Sequence, residues 1–218
     1  MRYVRDLSGI QTPQITDEPI ATATNVIKGA YVSQSAGLTI AATNGLTSKV
    51  LGVTAQGHNG AAETLAGWND DLTLRVYSSP GAVFAFPAPA ITATANTNAA
   101  LVEASGIADF AAANAFQGGY LELKTAVAST DPVGTRKLIT ASVNATKQFT
   151  VAFTAANTGD IFYCYPPKGF ALGEFSADSS AIVLTATVAQ PVQVVGWDFD
   201  KKEVLVAAKF HQYANDND

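Results

Sequence analysis

The residues best suited to chemistry in this chain are two histidines, one cysteine and a few acidic pairs. His58 lies between Gly57 and Gly60, and His211 stands close to a polar C-terminal stretch. A serine–histidine–acid triad needs a histidine that its neighbours hold in place. The sequence also contains no Gly-x-Ser-x-Gly nucleophile motif. We therefore predict that both histidines are exposed loop or edge residues.

A second candidate is the acidic pair Asp198 and Asp200, which would lie on the same side of a strand because side chains alternate. Such a pair could contribute to a calcium site or to glycoside hydrolysis. Lys201 and Lys202 follow directly and can neutralise the pair. We predict instead a hairpin turn between strands at 191–198 and 203–210.

The single cysteine, Cys164, stands in an aromatic strand-like segment, which predicts a buried and inert thiol. One cysteine excludes a disulfide framework and a cysteine-rich zinc site. No phosphate-binding glycine motif is present in the sequence. We predict no catalytic residues, no metal, no cofactor and no enzymatic activity.

The composition argues against several classes of protein. Only 14% of the 218 residues are charged, against about 25% in an average soluble domain. The net charge of −5 has the wrong sign for a nucleic-acid binder. We expect no membrane span and no signal peptide, since no sufficiently long apolar run occurs. So few charges predict a surface partly covered in an assembly, although an adhesin or a surface layer fits as well.

The elements that must carry these residues are short strands separated by turns. Leu72–Tyr77 alternates between apolar and polar side chains, and Val83–Phe86 is an apolar strand that ends at Pro87. Asn44-Gly45 indicates a turn. A short helix is predicted over Ile107–Phe116. The fold class is predicted as all-β, with β-sandwich or barrel modules, an extended N-terminal arm and at most one or two short helices.

Four segments are predicted along the chain. Residues 1–20 form an extended arm, and 21–128 form a first β module. A second module at 129–212 begins with a loop at Thr130–Thr135, and 213–218 form a mobile tail. Aromatic residues concentrate in the second module. Most of them are predicted to pack in the core or an interface, but Tyr163, Tyr165 and Trp197 could form a carbohydrate-stacking surface.

One stretch resembles a known family. Lys28-Gly29-Ala30-Tyr31-Val32, a turn of small residues, and Leu51-Gly52-Val53 match an entry segment and a later glycine-containing strand. This pattern is similar to the decoration, or cement, proteins on the heads of tailed bacteriophages. The match covers about 35 residues, and nothing after about residue 130 has a counterpart in it.

The resemblance implies a virion structural protein that stabilises the outer capsid surface by bridging major capsid subunits. The implied partners are the major capsid protein and further copies of the chain, with a trimer possible. The implied location is the capsid surface, after synthesis in the host cytoplasm. From position and chemistry we predict that the arm residues Arg2, Tyr3, Arg5 and Ile10 bind the partner.

Two other functions remain open. A phage tail-tube or neck protein would have a similar size and a β-rich fold. A carbohydrate-binding or adhesin domain would use the aromatic side chains named above. Electron micrographs that show hexameric rings would favour the tail tube, and glycan binding would favour the adhesin.

Overall fold

The computed structural model describes residues 2–7, 14–20, 25–26, 28–41, 50–59, 73–95, 101–105, 113–143, 145–154, 158–170, 174–175, 182–183 and 192–208. Within these ranges the regular structure is entirely β: twenty strands and no helix. The predicted all-β fold class is therefore confirmed. The same residues include no helix long and apolar enough to cross a membrane.

The strands have the following bounds in chain order: β1 Arg2–Asp6, β2 Ile15–Pro19, β3 Asn25–Val26, β4 Tyr31–Ser35, β5 Leu38–Ala41, β6 Val50–Thr54, β7 His58–Asn59, β8 Thr73–Tyr77, β9 Ala82–Pro87, β10 Ala90–Ala95, β11 Leu101–Ser105, β12 Tyr120–Thr125, β13 Arg136–Leu138, β14 Ala141–Val143, β15 Gln148–Thr150, β16 Ile161–Tyr165, β17 Glu174–Phe175, β18 Ile182–Val183, β19 Val192–Asp198 and β20 Glu203–Ala208. They form three larger sheets, ordered β1-β9-β20-β19, β13-β12-β16-β10-β11-β15-β14 and β2-β8-β6-β4-β5. Two further pairs are β3-β7 and β17-β18.

The seven-stranded sheet takes both of its end strands from one short segment. Its two end strands, β13 and β14, are separated along the chain only by Ile139 and Thr140. The Ile139 amide donates to the Gly119 carbonyl at 2.9 Å, and the Thr140 amide donates to the Thr150 carbonyl at 2.9 Å. Residues 136–143 are thus bonded on one side towards β12 and on the other towards β15. The sheet is therefore barrel-like, since one segment contributes both its first and its last strand.

Large side chains fill the core of this barrel. Those that are fully buried include Leu121, Leu123, Ile139, Phe149, Phe162 and Cys164. Phe116 packs on Phe149, with ring centroids 5.2 Å apart at 83°. The apolar residues alternate with outward-facing ones along β12 and β16, so the barrel core follows from the period-two pattern.

Aromatic rings join the five-stranded sheet to the four-stranded sheet. Tyr31 of β4 stacks on Phe86 of β9 at 5.9 Å, and it meets Phe84 edge-on at 5.9 Å. Tyr77 of β8 also contacts Phe84, at 6.1 Å. Such aromatic pairs contribute beyond their buried area, because edge and face carry opposite partial charge.

Gly52 allows two strands of the five-stranded sheet to come together. A β-carbon at this position would lie 2.0 Å from the Tyr77 carbonyl oxygen and 2.7 Å from a methyl group of Val76. No side chain fits at these distances. The glycine of the Leu51-Gly52-Val53 motif is therefore required by the close approach of β6 and β8.

Several predicted elements are confirmed. The strands at Leu72–Tyr77 and Val83–Phe86 correspond to β8 and β9, and residues 199–202 form the hairpin turn between β19 and β20. The predicted turn at Asn44-Gly45 lies outside the described residues.

The short helix predicted over 107–116 is wrong in its described part. Residues 113–118 form turns, and residues 107–112 lie outside the described ranges. Asn114 adopts a left-handed φ of 62°, and the Phe116 amide donates to the Ser142 hydroxyl at 3.1 Å instead of to a helical carbonyl. These turns bring the Phe116 ring into the barrel core, which local helical spacing does not reveal.

The bounds of the predicted segments stay a prediction, but the sheets cross them. Residues 2–6 and 15–19 of the predicted arm are β1 and β2, paired with β9 and β8. The barrel takes β10, β11 and β12 from before residue 129 and its other strands from after it. The long-range pairings that produce this arrangement leave no signal in the local sequence.

Candidate functional site

Three of the four predicted partner-binding residues, Arg2, Tyr3 and Arg5, lie in β1. Tyr3 is half-buried and stacks on Tyr77 with ring centroids 5.8 Å apart, so its ring belongs to the junction between two sheets. The Arg5 side chain is exposed. Arg2 lies in the strand and pairs with Ala85, and Ile10 lies outside the described residues. Of these residues, Arg5 is the one whose described side chain faces solvent.

Two exposed apolar residues stand in the segments that flank the connection between β8 and β9. Leu7 is 55% exposed and Ile15 is 48% exposed. The Leu7 amide donates to the Gly81 carbonyl at 2.8 Å, and the Ser78 amide donates to the Gln14 carbonyl at 3.1 Å. The segment that contains Leu7 and the segment that contains Gln14 and Ile15 are thus both bonded to residues 78–81, the connection between β8 and β9. We name Arg5, Leu7 and Ile15 the N-terminal surface.

β1 also ends one side of the four-stranded sheet. It pairs with β9 on one side, and no described strand pairs with its other side. An edge strand presents backbone donors and acceptors that can extend a neighbour's sheet. The N-terminal surface therefore combines an open strand edge, a cation and two apolar side chains.

A buried carboxylate forms the strongest charge cluster among the described residues. Glu122 of β12 is 1% exposed. It accepts hydrogen bonds from Arg136 Nε at 3.1 Å and Nη2 at 2.9 Å, and it forms a further ion pair with Lys202 Nζ. Its two oxygens are thus matched by two cations, as a buried charge requires.

Aromatic rings surround this carboxylate. The Arg136 guanidinium lies 3.6 Å from the centroid of Phe199, and Tyr165 meets Phe199 edge-on at 5.0 Å. The Tyr165 hydroxyl lies 3.5 Å from Glu122 Oε2. Burial, and then the charge of Glu122, raise the pKa of the Tyr165 hydroxyl far above its usual range. The phenol therefore stays protonated and packs as part of the core.

Cys164 is fully buried next to this cluster in β16, as predicted. Burial raises the pKa of its thiol well above the usual range. The thiolate is the nucleophilic form, so this side chain is inert at neutral pH.

The three aromatic residues considered for sugar stacking have different surroundings. Tyr165 is fully buried and has no open face. Trp197 stacks on Phe199 at 5.7 Å, and its indole N–H donates to the Pro166 carbonyl at 2.8 Å. Tyr163 is partly exposed, with Lys124 Nζ 5.0 Å from its ring centroid. Trp197 and Tyr165 thus serve mainly to pack β16, β19 and the turn after β19.

Asp160 organises the loop after β12. This fully buried carboxylate accepts backbone hydrogen bonds from Val127, Ala128 and Ser129, the last of them at 3.0 Å to Oδ2. Three amide donors compensate the buried charge. The buried Asp160 carboxylate therefore has a structural role, because it holds the backbone of residues 127–129.

The acidic pair at 198–200 forms local bonds. Asp198 Oδ1 accepts the Lys201 amide at 3.1 Å, and Asp198 Oδ2 lies 3.4 Å from Lys201 Nζ. Lys202 is directed to Glu122 instead, a long-range ion pair that the sequence did not predict. His58 lies in β7, and His211 is outside the described residues. The described residues include no group of three or more His, Cys, Asp and Glu that could hold a metal ion.

The two segments that resemble phage decoration proteins, Lys28–Val32 and Leu51–Val53, form one structural unit. The amides of Gly29 and Ala30 donate to the Thr54 hydroxyl at 3.0 and 3.2 Å, and β4 pairs with β6. Gly29 has a φ of 87°, which favours glycine. The turn at Lys28-Gly29 is thereby tied to the end of β6. This unit lies beside Tyr3 and Phe84, with which it lines a common cavity.

Sequence reasoning missed Leu7 and Ile15, because isolated apolar residues in a polar segment have no periodicity. It also missed Glu122, whose partners come from 14 and 80 positions away. The signal available in the sequence was a glutamate between two leucines of a strand-like segment, Tyr120-Leu-Glu-Leu-Lys124.

Searches of family models, curated proteins and solved structures found nothing that matches this chain.

Proposed function

We propose that this chain is a non-enzymatic structural protein of a bacteriophage virion, which decorates and stabilises the outer surface of the capsid. The N-terminal surface carries the proposal. It combines the edge strand β1, Arg5 and two exposed apolar side chains whose backbone segments are bonded to the β8–β9 connection. A cement protein needs such a surface to bridge major capsid subunits.

The resemblance of Lys28–Val32 and Leu51–Val53 to phage decoration proteins supports this role. In the structure these residues form a single hydrogen-bonded unit beside β1. The low charge of the chain also supports it, since a surface with few charges loses little hydration when it is covered. Many modest contacts on a shell add through multivalency, so a small surface on each copy suffices.

The test is the binding of variants to capsids assembled without this chain. Leu7→Asp introduces a charge into the N-terminal surface, and we expect capsid occupancy to fall by about tenfold, a loss of about 1.4 kcal/mol. Arg5→Glu should lower occupancy as well. Val133→Asp is the matched control, because Val133 is 64% exposed in the loop between β12 and β13.

Point substitutions are preferable to removal of residues 1–19. That deletion would also uncover β9 and β8, the strands to which β1 and β2 are paired. Equal occupancy of the wild type and Leu7→Asp would contradict the N-terminal surface as the binding site. Hexameric rings of the purified protein in electron micrographs would instead favour the tail tube.

A further inference from the structure

A cavity lies between the four-stranded and five-stranded sheets. Its volume is about 380 Å³, within the range of small-molecule sites, about 300–1,000 Å³. The residues that line it come from four strands and one turn, and they include Tyr3, Lys28, Val53, Thr54, Tyr77 and Phe84. Of the residues predicted from the sequence to bind a partner, Tyr3 lines this space.

Three aromatic rings form the walls. Tyr3 and Tyr77 lie nearly parallel, at 19°, with centroids 5.8 Å apart. Phe84 is inclined to both, at 73° to Tyr3 and 56° to Tyr77. Rings in this arrangement offer both faces and edges, so a flat apolar group can pack against them by offset or edge contact. Val53 is buried and adds an aliphatic surface.

One positive charge borders the cavity. The Lys28 side chain is exposed and forms no ion pair with any residue that the structure describes. Its backbone is held in place, because the neighbouring Gly29 amide donates to Thr54 at 3.0 Å. An ammonium at the edge of a cavity lined by both aromatic and polar groups attracts an anionic group whose remaining part packs on the rings.

The donor set favours a carboxylate over a phosphate. The amides of Gly29 and Ala30 already donate to the Thr54 hydroxyl, so they do not form an anion-binding nest. A single ammonium matches a single negative charge. A phosphate group would need more donors than this cavity provides.

We propose that this cavity binds a small aromatic carboxylate, with its ring against the partly exposed rings of Tyr3 and Tyr77 and its carboxylate against Lys28 Nζ. The proposed capsid role is not a premise of this site, although Tyr3 is shared with the residues predicted to bind the capsid. Its ring contacts contribute apolar burial, and the lysine selects the charge of the ligand.

Phenylacetate, phenylacetamide and acetate serve as probes in titrations of the full chain followed by NMR. Phenylacetate should bind saturably and at least about tenfold more tightly than either of the other two. Lys28→Ala should abolish the preference for phenylacetate over phenylacetamide. Lys124→Ala is the matched control, because Lys124 is also an exposed lysine near a tyrosine ring.

Val53→Phe tests the location, because the added ring occupies the cavity. Binding of phenylacetate should then be lost, while the thermal transition shows that the chain remains folded. If Val53→Phe does not fold, the comparison of Lys28→Ala with Lys124→Ala still tests the proposal. Three results would each overturn the proposal. The first is that phenylacetate does not bind saturably, and the second is that Lys28→Ala and Lys124→Ala have equal effects. The third is that folded Val53→Phe binds phenylacetate as the wild type does.

Discussion

Single residues in this chain carry constraints that their local sequence only partly shows. Gly52 stands in an apolar strand, where glycine usually weakens pairing. The close approach of β8 explains why glycine occupies this position. Gly196, which also lies in a strand, has ordinary space around it, because a β-carbon there would be 3.7 Å from the Leu205 side chain.

These two glycines give a matched pair of substitutions. Gly52→Ala should destabilise the chain by about 2–3 kcal/mol, because the new methyl group forces β6 away from β8. Gly196→Ala should change stability by less than about 1 kcal/mol. Urea unfolding measures both values, and equal stability of the two variants would contradict the close contact.

At the scale of elements, a buried side chain shapes the loop that follows β12. The three amides bonded to Asp160 lie 31 to 33 positions before it in the chain. The loop itself contains Ser, Thr, Asp, Pro and Gly, and its composition predicted a loop correctly. Its conformation depends on a carboxylate supplied by another part of the chain.

Asp160→Asn tests this dependence. The amide retains one oxygen acceptor but turns an NH₂ donor towards backbone amides, so we expect a loss of about 1–3 kcal/mol. Hydrogen exchange at residues 127–129 should accelerate more than exchange in the barrel strands. Asp200→Asn, in the exposed turn after β19, is the control. Unchanged protection of residues 127–129 would show that Asp160 does not hold the loop.

At the scale of the whole molecule, the Glu122 cluster connects two sheets. Glu122 belongs to the barrel, whereas Lys202 lies in the turn between β19 and β20 of the four-stranded sheet. The Ala88 amide reinforces this junction by donating to the Lys202 carbonyl at 2.8 Å. The connection between barrel and sheet therefore depends on a charge pair as well as on aromatic packing.

Glu122→Gln should lower the free energy of unfolding by about 2–3 kcal/mol, because two cations lose the charge that compensates them. A double-mutant cycle with Lys202→Met measures the coupling across the junction. We expect a coupling of at least about 1 kcal/mol. Purely additive effects would show that the ion pair does not link the two sheets.

The sequence by itself determined the all-β class, the main strands and the hairpin turn at 199–202. Period-two alternation and turn residues act over a few positions, so they can be read locally. Only the tertiary structure decided that residues 136–143 contribute both ends of the seven-stranded sheet, that Lys202 pairs with Glu122, and that the segments of Leu7 and Gln14 are bonded to the same connection. These features depend on contacts between residues far apart in the chain, which local patterns do not encode.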